Sequence, residues 1–188
     1  DDRLAPLQRA PYLKTMNIIS RIYLALATLS LCLMSCTSSE HEEFQTVPKV
    51  ALERYMGNWF VLAHSPNWIE NDSYNSIENY KLREDGDVDV TFTYLEGGFD
   101  GEEKVVTQHG FVINRTTNAE WRVQPMWPFK LPFLIIGLEE EAYRYTVIAG
   151  PSREWLWVLA RHTTLTDEDW AAIEKTIRDQ GFDYEGLR

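Results

Sequence analysis

The chain has 188 residues, 44% hydrophobic and 13% aromatic with seven tryptophans, and a formal net charge of −11 at pH 7. That length suits one domain plus a short extension, and the apolar share can fill a core with rings left over for a cavity or a mouth. The first 35 residues hold four basic and two acidic side chains, so the rest carries 14 Lys/Arg against 27 Asp/Glu, or −13. Such a surface repels phosphate backbones and excludes nucleic acid as a partner.

Residues 1–35 read as an address and an upstream extension. Position 1 is Asp, and Met16 is the expected start. One positive charge at Arg21 precedes the apolar run 22–34, the layout of a secretory signal peptide and short for a permanent membrane span. The run ends in Leu33-Met34-Ser35-Cys36, which resembles the lipobox of bacterial lipoproteins. The resemblance implies that Cys36 becomes a lipidated, palmitate-bearing mature N-terminus; the alternative is a secreted protein in which Cys36 is incidental. Several acyl chains anchor durably, because each buried methylene contributes about 0.8 kcal/mol. Thr37 is not the Asp that marks inner-membrane retention, so the outer membrane is the expected destination.

Residues 36–52 are expected to form a tether, and 53–188 the folded domain. The polar stretch 37–43 includes His41 among three glutamates, a weak chelator at most, and a solvated tether is the simpler account. The cysteines, Cys32 and Cys36, both precede the domain, which is left without a disulfide or a thiol nucleophile.

From Tyr55 onward short β-rich runs alternate with turn residues, at 57–64, 74–83, 88–95, 103–113, 119–126, 134–138, 143–149 and 155–161. Val88, Val90, Phe92 and Tyr94 alternate with polar residues, and Gly97, Gly98 and Gly101 mark a turn. Pro125, Pro128 and Pro132 exclude a helix around Trp127. Eight such runs predict an all-β, up-and-down antiparallel barrel, which encloses room for one small ligand. The period then changes. Thr166 can cap a helix opened by Asp167, Glu168 and Asp169, with Trp170, Ile173 and Ile177 forming an apolar stripe that packs on the outside of the barrel. Gly181 is placed to end it in the left-handed conformation, and Phe182-Asp183-Tyr184 should follow as an extended piece.

Specific residues now match a family. The stretch 54–63, RYMGNWFVLA, resembles the lipocalin opening signature built on Gly-x-Trp; 145–152, YTVIAGPS, resembles the next-to-last strand and its turn; 155–161, WLWVLAR, resembles the last strand with its terminal Arg. Together with Gly181-Phe182-Asp183 after the helix, they make the chain similar to the bacterial outer-membrane lipocalins and apolipoprotein D. The resemblance implies structural roles for Gly57, Trp59 and Arg161: a tight turn into the barrel, an indole plugging its closed end, and a guanidinium stacked on that indole.

If Arg161 points inward, alternation turns Leu159, Trp157 and Trp155 inward too. Pairing across 150–153 then brings Tyr145 and Val147 to the same face, and Val61 and Ala63 share the parity of Trp59. Loops at the open end contribute Trp68, Phe99, Trp127 and Phe129 as an aromatic rim. A one-residue slip would reverse any of these placements.

An enzyme would need a constellation that the chain lacks. It has no Gly-x-Ser-x-Gly elbow, no phosphate-binding glycine loop and no His-Glu-x-x-His pair. His41, His64, His109 and His162 are scattered, and only His64 falls near the mouth; no axial haem ligand, other cofactor or metal site stands out. The resemblance therefore implies a non-enzymatic carrier of fatty acid, lysophospholipid or a similar molecule, with Tyr145, His64, Arg122 or Arg144 as candidate headgroup contacts. The competing expectation is a structural lipoprotein whose barrel is filled by its own side chains and whose rim meets another envelope protein. Homodimerisation stays open.

Overall fold

The computed structural model describes residues 44–66 and 72–188. Eight antiparallel strands pair in chain order: β1 (Gly57–His64), β2 (Ser73–Leu82), β3 (Val88–Glu96), β4 (Glu103–Val112), β5 (Glu120–Met126), β6 (Phe129–Leu138), β7 (Tyr145–Ala149) and β8 (Leu156–Ala160). β1 also pairs with β8, so the sheet closes on itself and removes the exposed edges that would otherwise invite pairing with other chains. This is the expected up-and-down barrel. A one-turn helix, α1 (Leu52–Tyr55), precedes it, and α2 (Asp167–Asp179) follows it.

Alternation makes the strands. In β3, Val88, Val90 and Phe92 are buried while Asp89, Thr91 and Thr93 are less so, which only an extended backbone can arrange. Two apolar layers result. Inside the barrel lie Trp59, Tyr80, Trp121, Ile135, Ile148 and Leu159. Outside it, Ile173 and Ile177 of α2 are fully buried against a sheet face that includes Tyr145, Val147, Ala149 and Val158.

The helix starts and stops where its sequence says it should. The Thr166 hydroxyl accepts from the Asp169 amide at 3.2 Å, three acids fill the first turn, and Gly181 takes φ +78° after the last. Its seat on the sheet depends on Gly137 in β6, where a Cβ would stand 3.0 Å from Val147 Cγ2 and 3.1 Å from Thr176 Cγ2. Arg144, between β7 and the preceding turn, donates to Asp169 at 2.8 Å and fixes the N-terminal end of α2. Arg144 first, then the Thr166 hydroxyl, hold the Asp169 carboxyl below the usual carboxylate range against the opposing effect of burial.

Three details differ from the sequence expectation. β6 begins at Phe129 rather than 134, with Pro132 inside the strand opposite Arg122 and Trp127-Pro128, joined by a cis bond, at the hairpin tip. Pro125 of β5 falls within a register shift between Val123 and Met126, where a strand tolerates proline. The expected boundary at 53 also moves. Val47 donates its amide to the Ile135 carbonyl at 2.9 Å and Val50 to Thr117 at 2.7 Å, and both side chains are buried, so the ordered domain includes 44–52. Lastly, Phe182 forms no strand; it stacks on Phe44 with ring centroids 5.2 Å apart.

Candidate functional site

The closed end of the barrel comes first, because it sets the floor of the site. Gly57 holds φ +93°, a conformation that a side chain would strain. Trp59 is fully buried, and its indole N–H donates to the Tyr55 carbonyl at 2.8 Å. The Arg161 guanidinium sits 3.8 Å from the Trp59 ring centre and donates to the carbonyls of Asn58, Arg54 and Met56 at 2.7, 2.7 and 2.9 Å. Gly57, Trp59 and Arg161 thus meet at one end of the barrel. One half-buried cation satisfies three backbone acceptors where the chain enters the barrel and covers the plug, a cation–π contact.

Above the plug the rings of Tyr55, Tyr80, Trp121 and Phe133 are packed, Trp121 stacking on Phe133 at 5.0 Å and meeting Tyr80 edge-on at 5.7 Å. Burial pushes the Tyr55 phenol far above the ordinary tyrosine range, so it stays neutral and donates a hydrogen bond to Thr146 Oγ1 at 3.3 Å. Thr146 in turn donates to the Gly137 carbonyl at 3.0 Å. Phe133 lies where this packed half gives way to the cavity.

The other half is different. A cavity of about 170 Å³ opens at the end of the barrel where β3 and β5 finish and β8 begins. Its wall is mainly Val90, Phe92, Val106, Val123, Leu131, Phe133, Ile148, Trp155 and Trp157, and its polar side chains are Glu78, Gln108 and Tyr94. Register explains the grouping. Glu78 pairs across the sheet with Trp59 on one side and Phe92 on the other, so its side chain shares their inner face just above the plug. Tyr80 donates its hydroxyl to the Glu78 carboxylate.

The residues expected to line the site divide into groups. Trp155 and Trp157 do line it, 6.0 Å apart between ring centres. Val61 and Leu159 share that inner face but sit lower, within the packed base. Tyr145 and Val147 need correcting: β7 pairs Tyr145 with Ala160 and Val147 with Val158, so both turn outward onto α2, and Thr146 and Ile148 take the inner face. The turn between β7 and β8 spans 150–155 rather than 150–153, with Gly150 donating to the Trp155 carbonyl at 2.9 Å, and in either register Tyr145 and Val147 oppose even-numbered residues of β8 rather than Trp157 and Leu159. Ala63 needs the same correction. A bulge between Val61 and Ala63 turns it outward beside Val158 and brings His64 level with Trp157.

The rim is more exposed than a ligand contact requires. Phe99 is 77% and Trp127 84% accessible, and Phe129 is exposed beside it, so none of the three lies on the cavity wall. Phe99 leans edge-on against Tyr74 at 5.3 Å. Trp68, the lipidation candidate Cys36 and His41 lie outside the described residues. Arg144 is taken up by Asp169, and Arg122 alternates with the inward Trp121 and Val123, so neither faces the cavity. Sequence reasoning missed Glu78 and Gln108. The available signal was parity, since Glu78 shares it with Tyr80 and Gln108 with Val106.

The comparisons fit this architecture. A family model described as a lipocalin-like domain matches residues 50–188. The outer membrane lipoprotein Blc of Escherichia coli K12 is 27% identical over 163 residues, covering 85% of this chain and 89% of that protein. The Vibrio cholerae Blc is 27% identical over 145 residues, 76% and 82% of the two chains, and the temperature-induced lipocalin-1 of Arabidopsis thaliana 22% over 158, 79% and 83%. Among solved structures, the cockroach allergen Per a 4 superposes with a TM-score of 0.60 at 18% identity, covering 78% of this chain and 91% of that one. Insecticyanin from Manduca sexta gives 0.61 at 13%, covering 78% and 82%. With closed barrel, plug, guanidinium and family match in agreement, the chain belongs to the lipocalin family.

Proposed function

We propose that this lipocalin is anchored to the outer membrane through a lipid on Cys36 and binds, without catalysis, one small hydrophobic molecule of the fatty acid or lysophospholipid kind. Its role would be storage, scavenging or upkeep of envelope lipids. The cavity carries this reading: a void of about 170 Å³ walled mainly by apolar side chains and open at one end. Comparable apolar voids of about 150 Å³ hold a six-carbon ring. A longer chain would fill the void with one end and run out between the mouth loops, gaining roughly 25 cal/mol for each Å² of apolar surface removed from water. The anchoring part of the proposal draws support from the lipobox-like Leu33-Met34-Ser35-Cys36 and from relatives named as outer membrane lipoproteins.

A second reading keeps the same anchor but assigns the barrel to a partner protein in the envelope. It draws on the modest volume and on Trp127 and Phe129, which stand out from a hairpin tip.

Calorimetric titration with decanol and with a lysophospholipid separates the two. The carrier predicts saturable micromolar binding that Val106→Trp, which fills the void, abolishes in a barrel that still melts cooperatively. Absent binding, or equal binding by the filled variant, would sink the carrier reading. For the anchor, Cys36→Ala should move the protein from the membrane to the soluble fraction and remove its label after growth on a palmitate analogue; unchanged membrane association would contradict it.

A further inference from the structure

The hairpin between β5 and β6 ends in a surface that the barrel does not use. Met126, Trp127 and Phe129 at its tip are 64%, 84% and 63% accessible, gathered around Pro128. An apolar cluster of this kind on a soluble surface marks an interaction site. Its charge is equally distinct. From Trp121 to Leu138 the only charged side chains are Arg122 and Lys130, both positive, on a chain whose net charge is −11. Lys130 stands just behind the tip, its Nζ 3.3 Å from the Phe111 ring centre. The β3–β4 hairpin at the same end of the barrel is the contrast: its Phe99 is flanked by Glu96, Asp100, Glu102 and Glu103, and leans against Tyr74.

The entry point of the chain indicates what covers the tip. Phe44, the first described residue, has the Arg153 guanidinium 5.1 Å from its ring centre, and the next amide, of Gln45, donates to Gln180 Oε1 at 3.1 Å. Arg153 belongs to the β7–β8 turn and donates to the Gln180 carbonyl, just past α2, at 2.8 Å. In an up-and-down barrel that turn shares an end with the β3–β4 and β5–β6 turns. The polypeptide therefore enters the domain at the mouth and not at the plug. Eight Cα steps separate Phe44 from Cys36, at most about 28 Å of extended chain. A membrane that holds Cys36 lies within that reach of the mouth.

We infer that the β5–β6 tip docks into the bilayer that carries Cys36, with Trp127 and Phe129 at the boundary between headgroups and acyl chains and Lys130 among the phosphates. Tryptophan suits that boundary because its ring is apolar and its N–H polar, and a lysine stem covers apolar surface while its charge stays wet. The tip needs little affinity of its own, because the anchor makes its contact intramolecular. Pro125, Leu131 and Pro132 of the same hairpin line the cavity, so docking sets the mouth against the lipid. The inference rests on the anchor reading above and adds a second membrane contact to it.

The test is fluorescence quenching of the full-length protein, purified with its lipid and reconstituted in vesicles of phosphatidylcholine and phosphatidylglycerol. Wild type minus Trp127→Ser isolates one ring of the seven. Phosphatidylcholine brominated near the top of its acyl chains should cut that difference signal at least about twofold, as expected for a ring at the interface, while iodide in the water quenches it weakly. Phe129→Glu, a change at an exposed tip that leaves the melting temperature in place, should reverse both results. A Trp127 that bromolipid leaves unquenched overturns the inference, and if iodide also fails to reach it, a protein surface covers the tip instead. Quenching that Phe129→Glu does not change overturns it too. If Cys36→Ala shows that no lipid holds the chain on the membrane, the anchor reading fails, and this inference with it.

Discussion

The two ends of this barrel solve opposite problems with the same kinds of residue. At the closed end, tryptophan, tyrosine and arginine are packed until every polar atom has a partner: Trp59 bonds Tyr55, Arg161 bonds three carbonyls, and Tyr55 bonds Thr146. At the open end Trp155 and Trp157 border a void, and Trp127 and Phe129 face solvent. Aromatic content alone therefore says little about where a ligand sits. What distinguishes the ends is whether the strands converge on a plug, and the plug is a matter of Gly57, Trp59 and Arg161. Stability should accordingly reside at the base and selectivity above it.

Substitutions can break that division if it is false. Trp59→Ala should have the largest effect, destabilising the fold by about 3–5 kcal/mol in urea titration, as expected for a fully buried ring whose loss leaves a cavity and an exposed stack. Gly57→Ala should cost about 1–3 kcal/mol, because φ +93° strains any Cβ even though Arg161 Nη1 would stand at a tolerable 3.5 Å. Asp169→Asn should lose about 1–2 kcal/mol at neutral pH by weakening the tie between α2 and Arg144. The sign of its pH dependence follows from the lowered carboxyl: the wild-type contribution is present above the usual carboxylate range and is lost as pH falls through the folded value. The gap between wild type and Asp169→Asn should therefore narrow on acidification below about pH 4. Trp127→Ser, at the far end of the barrel, should change stability by no more than about 0.5 kcal/mol despite removing the most exposed large apolar side chain among the described residues. If instead it destabilised the barrel as much as Trp59→Ala, the contrast between the ends would collapse.

How much of this was legible beforehand depended on whether a residue's role follows from local pattern or from counting across turns. The fold was readable because alternation, turn residues and the helical stripe of Ile173 and Ile177 each act locally. The base was readable because Arg161 sets the parity of the last strand, and that parity correctly turned Trp155, Trp157 and Leu159 inward. It failed as soon as it had to pass a turn or a bulge. The register across the β7–β8 turn sets Tyr145 opposite Ala160 and Val147 opposite Val158, which leaves Thr146 and Ile148 on the inner face, and the bulge after Val61 turned Ala63 out. Glu78 escaped notice for another reason. A carboxylate on an apolar parity reads as a solvated strand residue until register sets it between Trp59 and Phe92.

The most direct test of the division between base and cavity is a methyl-resolved NMR titration of the full chain with decanol. Methyl signals of Val90, Val106, Val123, Leu131 and Ile148, which line the void, should shift together and saturate. Those of Val112 and Ile135 in the base, and of Ile173 and Ile177 under the helix, should stay within a small fraction of that change. Shifts confined to the outer layer or the rim, or spread evenly through base and cavity, would contradict the account.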